Sequence, residues 1–414
     1  MRVAFFIDGT FIPERDGAST RFSRLPAAIA RSGHSVCVFH AFRGWSQLDR
    51  IATEPYPTYF FKPVTYYNEL SLVARLIAVE DIDIIQMNDL ETIQNVGLPL
   101  AAATGTRLVY EAHYHSGTLA SQLGLPFERQ AEVRDLEGRV ASSVDHIITF
   151  SEPDLQRWLL DSNTEAERIS IVPFGVEVTT PASVDGWRGS PSIVFLGNGY
   201  FEPNRRAIKR IADTIWPALR RRMTDASCMI IGAVPRDLRD ACLRVGVRVA
   251  GEVSDPGMHL RGCGVGIAPV FEGSGIRVKL LHYLGSGLPA VATSCAAEGL
   301  NFAAIRIEDR IECYADVIEG LLSDVEQVRR MVLESQCLLN LRYTWEHIAG
   351  VAVKTYERVL SRPTRGRPAS GVRAARMPIW LEESLQSGRF AGCDDLADVQ
   401  FSYGVARDGR VKLY

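Results

Sequence analysis

Residues 271–294 read "FEGSGIRVKLLHYLGSGLPAVATS", and the way this stretch is parsed decides the fold. Just before it, "GVGIAPV" (264–270) has the pattern of a short buried strand. Within it, "IRVKLLHYLGSG" has the spacing of a helix halted by Gly285 and Gly287, and "PAVATS" (289–294) is a further strand. "FEGSG" is therefore a strand-to-helix loop. Its glycines let the backbone approach a ligand closely, and the first free N–H groups of the following helix carry partial positive charge. Arg277 and Lys279 lie in the first turns and add full charges. Gly273, Ser274, Gly275, Arg277 and Lys279 together read as a seat for a phosphate or diphosphate. The spacing is not that of a Walker loop, because no Gly-Lys-Ser/Thr follows, nor that of the first turn of a dinucleotide fold. Gly-rich strand-to-helix turns are common and most bind nothing, so a plain turn stands as the competing reading.

The same alternation runs through the rest of the chain. In the first half, strand patterns at 2–7, 35–40, 83–87, 107–112, 146–151 and 169–174 alternate with helical patterns over 19–33, 66–81 and 129–144. Short buried strands between helices predict a parallel, doubly wound sheet. "GVEVTTPASVDGWRGSPS" (175–192) is rich in Gly, Pro, Ser and Thr and lacks periodicity, which marks a linker. Beyond it the alternation restarts, with strands at 192–197, 228–233, 247–253, 264–270 and 289–294 and helices over 205–222 and 236–246. The expected organisation is an N-terminal domain at 1–175, a linker at 176–191 and a C-terminal domain at 192–342. A terminal helix at 343–360 returns toward the N-domain; 361–378 is basic and Pro/Gly-rich, and the tail beyond it, of no assigned role, has room for a hairpin around "RDGR" (407–410). In such sheets ligands bind outside the carboxyl ends of the strands, so a cleft between two facing domains is the expected site.

A chain of 414 residues is long enough for two cores, and a net charge of −3 gives no general reason to expect nucleic acid. Eight cysteines are scattered without a C-x-x-C pair or metal-ligand spacing, and they read as small buried residues in a reducing compartment. The apolar run of "MRVAFFIDGTF" is too short for a signal peptide, and no stretch approaches the roughly 18 apolar residues of a membrane span. The expected location is the cytoplasm, free or peripheral at the inner face of the membrane. Seven basic residues against one acid in 204–222 read as a solvated helix face or as a patch that rests on anionic lipid.

With these elements in order, the chain resembles the retaining GT-B glycosyltransferases of the group 1 and family 4 type, in the variant with Gly-Ser-Gly in the donor loop. The resemblance is carried by "GSGIRVKLL", "GLPAVATS" and "AAEGL" (296–300), preceded by "SIVFLGNGYFEPNRRAIKRI" (192–211), and by "RDGAST" (15–20), "LVYEAHYH" (108–115), "ISIVPFGVE" (169–177) and "YTWEHIA" (343–349). It covers roughly residues 1–360, and the order and spacing of the pieces carry more than any one of them.

The resemblance implies two facing Rossmann-like domains. A UDP- or GDP-sugar would be held mostly by the C-terminal domain, with the acceptor on the N-terminal domain. A hexose-type sugar would pass to a hydroxyl or nitrogen with retention of configuration, with no metal and no cofactor beyond the donor. The acceptor would be a small soluble molecule or a lipid-linked saccharide. The absence of an amphipathic N-domain helix with a dense Lys/Arg face leans away from obligate membrane work. By position in the family pattern, Gly17 and Ala18 match the N-domain loop facing the diphosphate, His113 matches the site histidine near the reacting sugar, and Arg205 and Arg206 stand where many members place donor-phosphate cations.

One departure is visible. The family carries two glutamates separated by seven residues across the loop and helix, and counting back from Gly287 and Pro289 these positions are Ser274 and His282. Glu272 is out of register. At the second position relatives offer a carboxylate to both ribose hydroxyls, whereas an imidazole can bond only one. A nucleotide-sugar epimerase on the same fold and a nucleotide-binding protein without turnover are the alternatives to a transferase.

Overall fold

The computed structural model describes residues 1–9, 14, 16–41, 53–162, 164–178, 189–253 and 255–363, with the backbone of 403–405 and 411–413. Its strands form two sheets. The first contains β1 (Arg2–Ile7), β2 (Ser35–Ala41), β3 (Thr58–Phe61), β4 (Ile84–Met87), β5 (Arg107–Glu111), β6 (His146–Thr149) and β7 (Ile169–Ile171), in the order β3-β2-β1-β4-β5-β6-β7. The second contains β8 (Ser192–Leu196), β9 (Ser227–Ile231), β10 (Arg248–Gly251), β11 (Val265–Ala268), β12 (Ala290–Ala292) and β13 (Ile305–Ile307), in the order β10-β9-β8-β11-β12-β13. Every pairing among these thirteen strands is parallel. Beyond β3, β14 (Tyr403–Val405) and β15 (Val411–Leu413) pair antiparallel with each other, and β14 pairs antiparallel with β3. The strand order reverses direction beside β1 in one sheet and beside β8 in the other, and each reversal opens a crevice at the carboxyl ends of the strands.

Buried runs make these strands because both faces of each sheet are covered. Along β1, Val3, Phe5 and Ile7 enter one core while Ala4 and Phe6 enter another, as the two-residue strand period requires. The first core continues into the second domain through Phe174, Val176 and Trp345. A side chain at Gly175 would put its Cβ 2.4 Å from the Trp345 ring, so glycine is needed where the chain leaves the N-domain. The terminal helix Trp345–Leu360 follows the second domain in sequence but packs against the first helix, Gly17–Arg31.

Several elements differ from the sequence expectations. β3 was not expected; its four residues, Thr-Tyr-Phe-Phe, lie between Pro57 and Pro63 and are too short to show a period. β13 is a three-residue edge strand with an exposed Arg306 and Ile307, so it has no apolar signature. The helix expected over 66–81 is two helices, Pro63–Asn68 and Leu70–Val79, broken at Glu69 with φ −101° and ψ 51°. β7 stops at Ile171, two residues before Pro173, which has no N–H to give to a ladder. The helix expected over 205–222 begins at Glu202 and contains a widened π turn at Ile211–Ile215, and a second π turn occurs at Ile93–Gly97. Each π turn stands just before a proline, Pro217 or Pro99, whose missing N–H breaks the regular bonding.

Of the expected linker at 176–191, residues 179–188 lie outside the described residues, as does most of 361–414. Cys37, Cys228 and Cys242 are buried, Cys263, Cys295 and Cys313 are half-buried, and Cys337 is exposed. Among the described residues no helix is long and apolar enough to cross a membrane. Arg220, Arg221 and Arg222 are exposed, and Arg222 pairs with Asp316 and Glu319.

Candidate active site

The loop after β11 sits at the strand-order reversal of the second sheet. It is anchored from below by Tyr283, whose ring covers Gly266 so closely that a Cβ there would lie 2.3 Å from it. The Tyr283 hydroxyl accepts from Leu196 N–H at 2.8 Å and donates to Ile267 O at 3.2 Å, tying the helix Val278–Gly285 to β8 and β11. Gly273 and Gly275 have φ of +114° and +79°, the region where a side chain is strained. A Cβ on Gly275 would also lie 2.4 Å from the carbonyl oxygen of His113. The two glycines thus bring the loop against the end of β5 in the other domain.

The cations sit less openly than their sequence positions imply. Arg277 is the N-cap residue of the helix, and its guanidinium turns back to donate to Ser274 O and Gly275 O, each at 2.6 Å, and to Glu272 O at 3.4 Å. It braces the loop from within. Lys279 is buried; its Nζ donates to Asn204 Oδ1 at 2.7 Å and lies 3.9 Å from the centre of the Phe195 ring. Burial, and then the nearby Arg277 charge, hold its pKa well below the usual lysine value. Arg205 points away from the loop to Asp237, at 2.5 Å. Arg206 and Arg210 instead reach Glu272, at 3.4 and 2.9 Å. Burial opposes ionisation of Glu272, but the hydrogen bonds and charges of Arg210 and Arg206 prevail and lower its pKa. The Arg210–Glu272 pair escaped the sequence reading because the two residues are 62 apart and only the fold brings their two segments together. His282 lies one turn into the helix. Burial pushes its pKa from 6.5 to about 4, so the ring is neutral near pH 7.

The N-domain supplies the opposite wall. Asp16 caps the helix Gly17–Arg31 by accepting from Ser19 N–H at 2.9 Å. Gly17 and Ala18 form the first turn, and a Cβ on Gly17 would be 3.1 Å from Val278 of the loop helix. The N-terminal end of this 15-residue helix therefore faces the loop with its partial positive charge. Behind it, Arg21 and Glu111 form a buried ion pair at 2.5 Å, and His113 Nε2 lies 3.1 Å from the same Glu111 oxygen. Burial alone would raise the pKa of Glu111, but Arg21 and His113 outweigh it and the carboxyl is held below its usual range. The His113 ring is flanked by Phe22 and Phe150 at 5.4 and 5.3 Å.

The two walls touch. Ser274 Oγ accepts from His115 N–H at 2.7 Å, and Gly275 N–H donates to Asp154 Oδ1 at 3.0 Å. Gly273 N–H donates to Gln122, and Arg157 pairs with Glu298. The loop's outward amides are thus occupied by N-domain side chains, and a carboxylate oxygen sits on Gly275 where the oxygen of an anionic ligand would sit. Asp154 and Gln122 carry no sequence signal for this role, since only the closed cleft brings them to the loop. Among the described residues no group of three His, Cys, Asp or Glu side chains is placed to hold a metal ion.

A family model described as "Glycosyl transferases group 1" matches residues 190–324, and one described as "Glycosyltransferase Family 4" matches residues 15–180. Sequence comparison with curated proteins finds no match. Among solved structures, HepE of Anabaena in complex with UDP and glucose is similar with a TM-score of 0.65 at 14% identity, covering 86% of this chain and 99% of that one. A glycosyltransferase from Rickettsia africae gives 0.66 at 13%, covering 87% and 99%. The sucrose-phosphate synthase of Thermosynechococcus elongatus also gives 0.66 at 13%, with the same coverage. At such identities the likeness to these structures establishes the fold.

Proposed function

The chain belongs to the GT-B glycosyltransferases of the group 1 and family 4 type, and from that premise we propose that it transfers a hexose-type sugar from a nucleoside-diphosphate sugar to a hydroxyl or nitrogen of an acceptor, with retention of configuration. The observation that carries the reading is the meeting of the Gly273–Gly275 loop, whose two glycines take positive φ, with His113 and the amino end of the helix Gly17–Arg31 across one cleft. The solved complexes of HepE with UDP and glucose, and of an E. coli protein with UDP-2-fluoroglucose, support a nucleotide-sugar donor.

Breaking the bond between the anomeric carbon and the diphosphate leaves negative charge on the leaving group. Donors already oriented toward that charge stabilise it without reorganising during the reaction. Here those donors are the N–H groups of Gly273 and Gly275, the first turn of the helix at Gly17 and Ala18, and the charge of Arg277 held against the loop. These groups neutralise the leaving diphosphate without calling on a metal. For the diphosphate to reach the amides, Asp154 and Gln122 withdraw, so donor entry is coupled to opening of the cleft. His113 then faces the sugar from the N-domain, where a small or lipid-linked acceptor enters.

The test is incubation of the full chain with a panel of UDP- and GDP-hexoses, with products followed by NMR. The expected result is slow release of nucleoside diphosphate and free sugar, the sugar first appearing in the anomeric configuration it had in the donor. Isomerised donor would contradict transfer, and so would binding without turnover. First appearance of the opposite anomer would contradict retention.

A further inference from the structure

Tyr356 lies deep in the terminal helix, fully buried, and its hydroxyl ends within 2.5 Å of Gln86 Oε1. The other end of the Gln86 amide, Nε2, donates to Glu111 Oε2. Glu111 Oε1 accepts from Arg21 Nε at 2.5 Å and lies 3.1 Å from His113 Nε2. We propose that Glu111 is the positioning residue of His113, and that Tyr356 and Gln86 aim Glu111, so that the terminal helix sets the tautomer of the site imidazole. The role of His113 in this statement rests on the function proposed above.

The directions of the hydrogen bonds follow from chemistry. An ionised carboxylate only accepts. Gln86 must therefore turn its NH2 toward Glu111, which leaves its oxygen facing Tyr356, and the phenol must donate. By the same rule the proton on the His113 ring is on Nε2. A neutral imidazole carries one ring proton, so Nδ1 keeps its lone pair, and among the described residues Nδ1 has no hydrogen-bond partner. Each remaining freedom is removed by a neighbour. Arg21 is fixed by Pro173 O at 2.7 Å and Val172 O at 3.2 Å, with its guanidinium carbon 4.5 Å from the centre of the Phe150 ring. Phe22 and Phe150 flank the imidazole. In its neutral form His113 thus offers a lone pair, at Nδ1, as an acceptor for a hydroxyl of the sugar or of the acceptor substrate.

A merely structural Arg21–Glu111 pair would not need this tautomer, and the test separates the two. The full chain is labelled with 15N-histidine, and His113 is assigned by loss of its signal in His113→Gln. The wild-type protein is expected to show the Nε2–H tautomer alone. Tyr356→Phe removes one hydrogen bond and no charge; it is expected to give a mixture of tautomers and a fall in kcat of about 3- to 10-fold, the net worth of one hydrogen bond, at unchanged donor KM. Glu111→Gln is expected to lower kcat by about 10- to 100-fold, the range seen when a metal-bound histidine loses its orienting partner. A wild-type Nδ1–H form, or a tautomer and kcat unchanged in both variants, would overturn the proposal. If the wild-type protein turns over no nucleotide sugar, the functional reading fails, and the tautomers of wild type and Tyr356→Phe still decide the positioning chain.

Discussion

The two walls of the cleft are built from different materials. On the C-domain side the working surface is backbone: two glycines in left-handed conformation, their amides, and cations that fold inward to brace the loop or sit beneath it. On the N-domain side it is a buried network of side chains, Arg21, Glu111, Gln86 and Tyr356, behind one imidazole. The backbone wall tolerates little change in residue shape. The side-chain wall tolerates little change in charge.

The largest effect belongs to the side-chain wall. Arg21→Met leaves Glu111 ionisable, buried and without its counter-charge, and removal of one partner of such a pair costs about 3–5 kcal/mol. Urea unfolding is expected to show that loss, and a change below about 1 kcal/mol would mean that the network is dispensable.

Next comes the pH dependence under the backbone wall. Between pH 6.5 and about 4 the unfolded chain takes up a proton at His282 that the folded chain refuses. Stability therefore falls as pH falls across that window, by about 2–3 kcal/mol from this group alone. Comparison with His282→Gln isolates this part from other histidines, and the variant's stability is expected to fall less steeply over the same range. Equal slopes would mean that the ring is not desolvated.

Gly275→Ala tests the backbone wall itself. Left-handed backbone at a non-glycine residue costs about 1–2 kcal/mol, and the added Cβ meets His113 O. The expected result is a loss of about 2 kcal/mol by thermal unfolding together with loss of donor turnover. Full activity would remove the loop from the account.

The smallest effect on stability and the sharpest contrast come from Lys279→Met. Removing a desolvated charge is close to neutral for the fold, whereas donor affinity measured by calorimetry is expected to drop about tenfold, or 1.4 kcal/mol. Unchanged affinity would make Lys279 a structural lysine held by Asn204.

What was legible in the sequence follows the same division. The loop, its glycines and the strand on each side could be read because their requirements are local: a strand period, a stop, a turn. His113 was singled out only by its place in an ordered pattern, not by any local requirement. The directions of Arg277, Lys279 and Arg205 were not legible, because a cation in the right segment can face the cleft, brace its own loop or pair with a neighbour such as Asp237. Arg21, Glu111 and Asp154 were missed because each acquires its role from partners far away in the chain, at separations of 90 residues for Arg21–Glu111 and 121 for Asp154–Gly275. Short strands failed for a physical reason too, since three or four residues are too few to display a period.

The most direct measurement of the central claim is a crystal structure of the full chain with UDP-glucose bound. The diphosphate oxygens are expected within hydrogen-bond distance of Gly273 N–H and Gly275 N–H, with the Asp154 carboxylate withdrawn from Gly275 and the sugar facing His113. Nucleotide bound elsewhere, with Asp154 still accepting from Gly275, would contradict it.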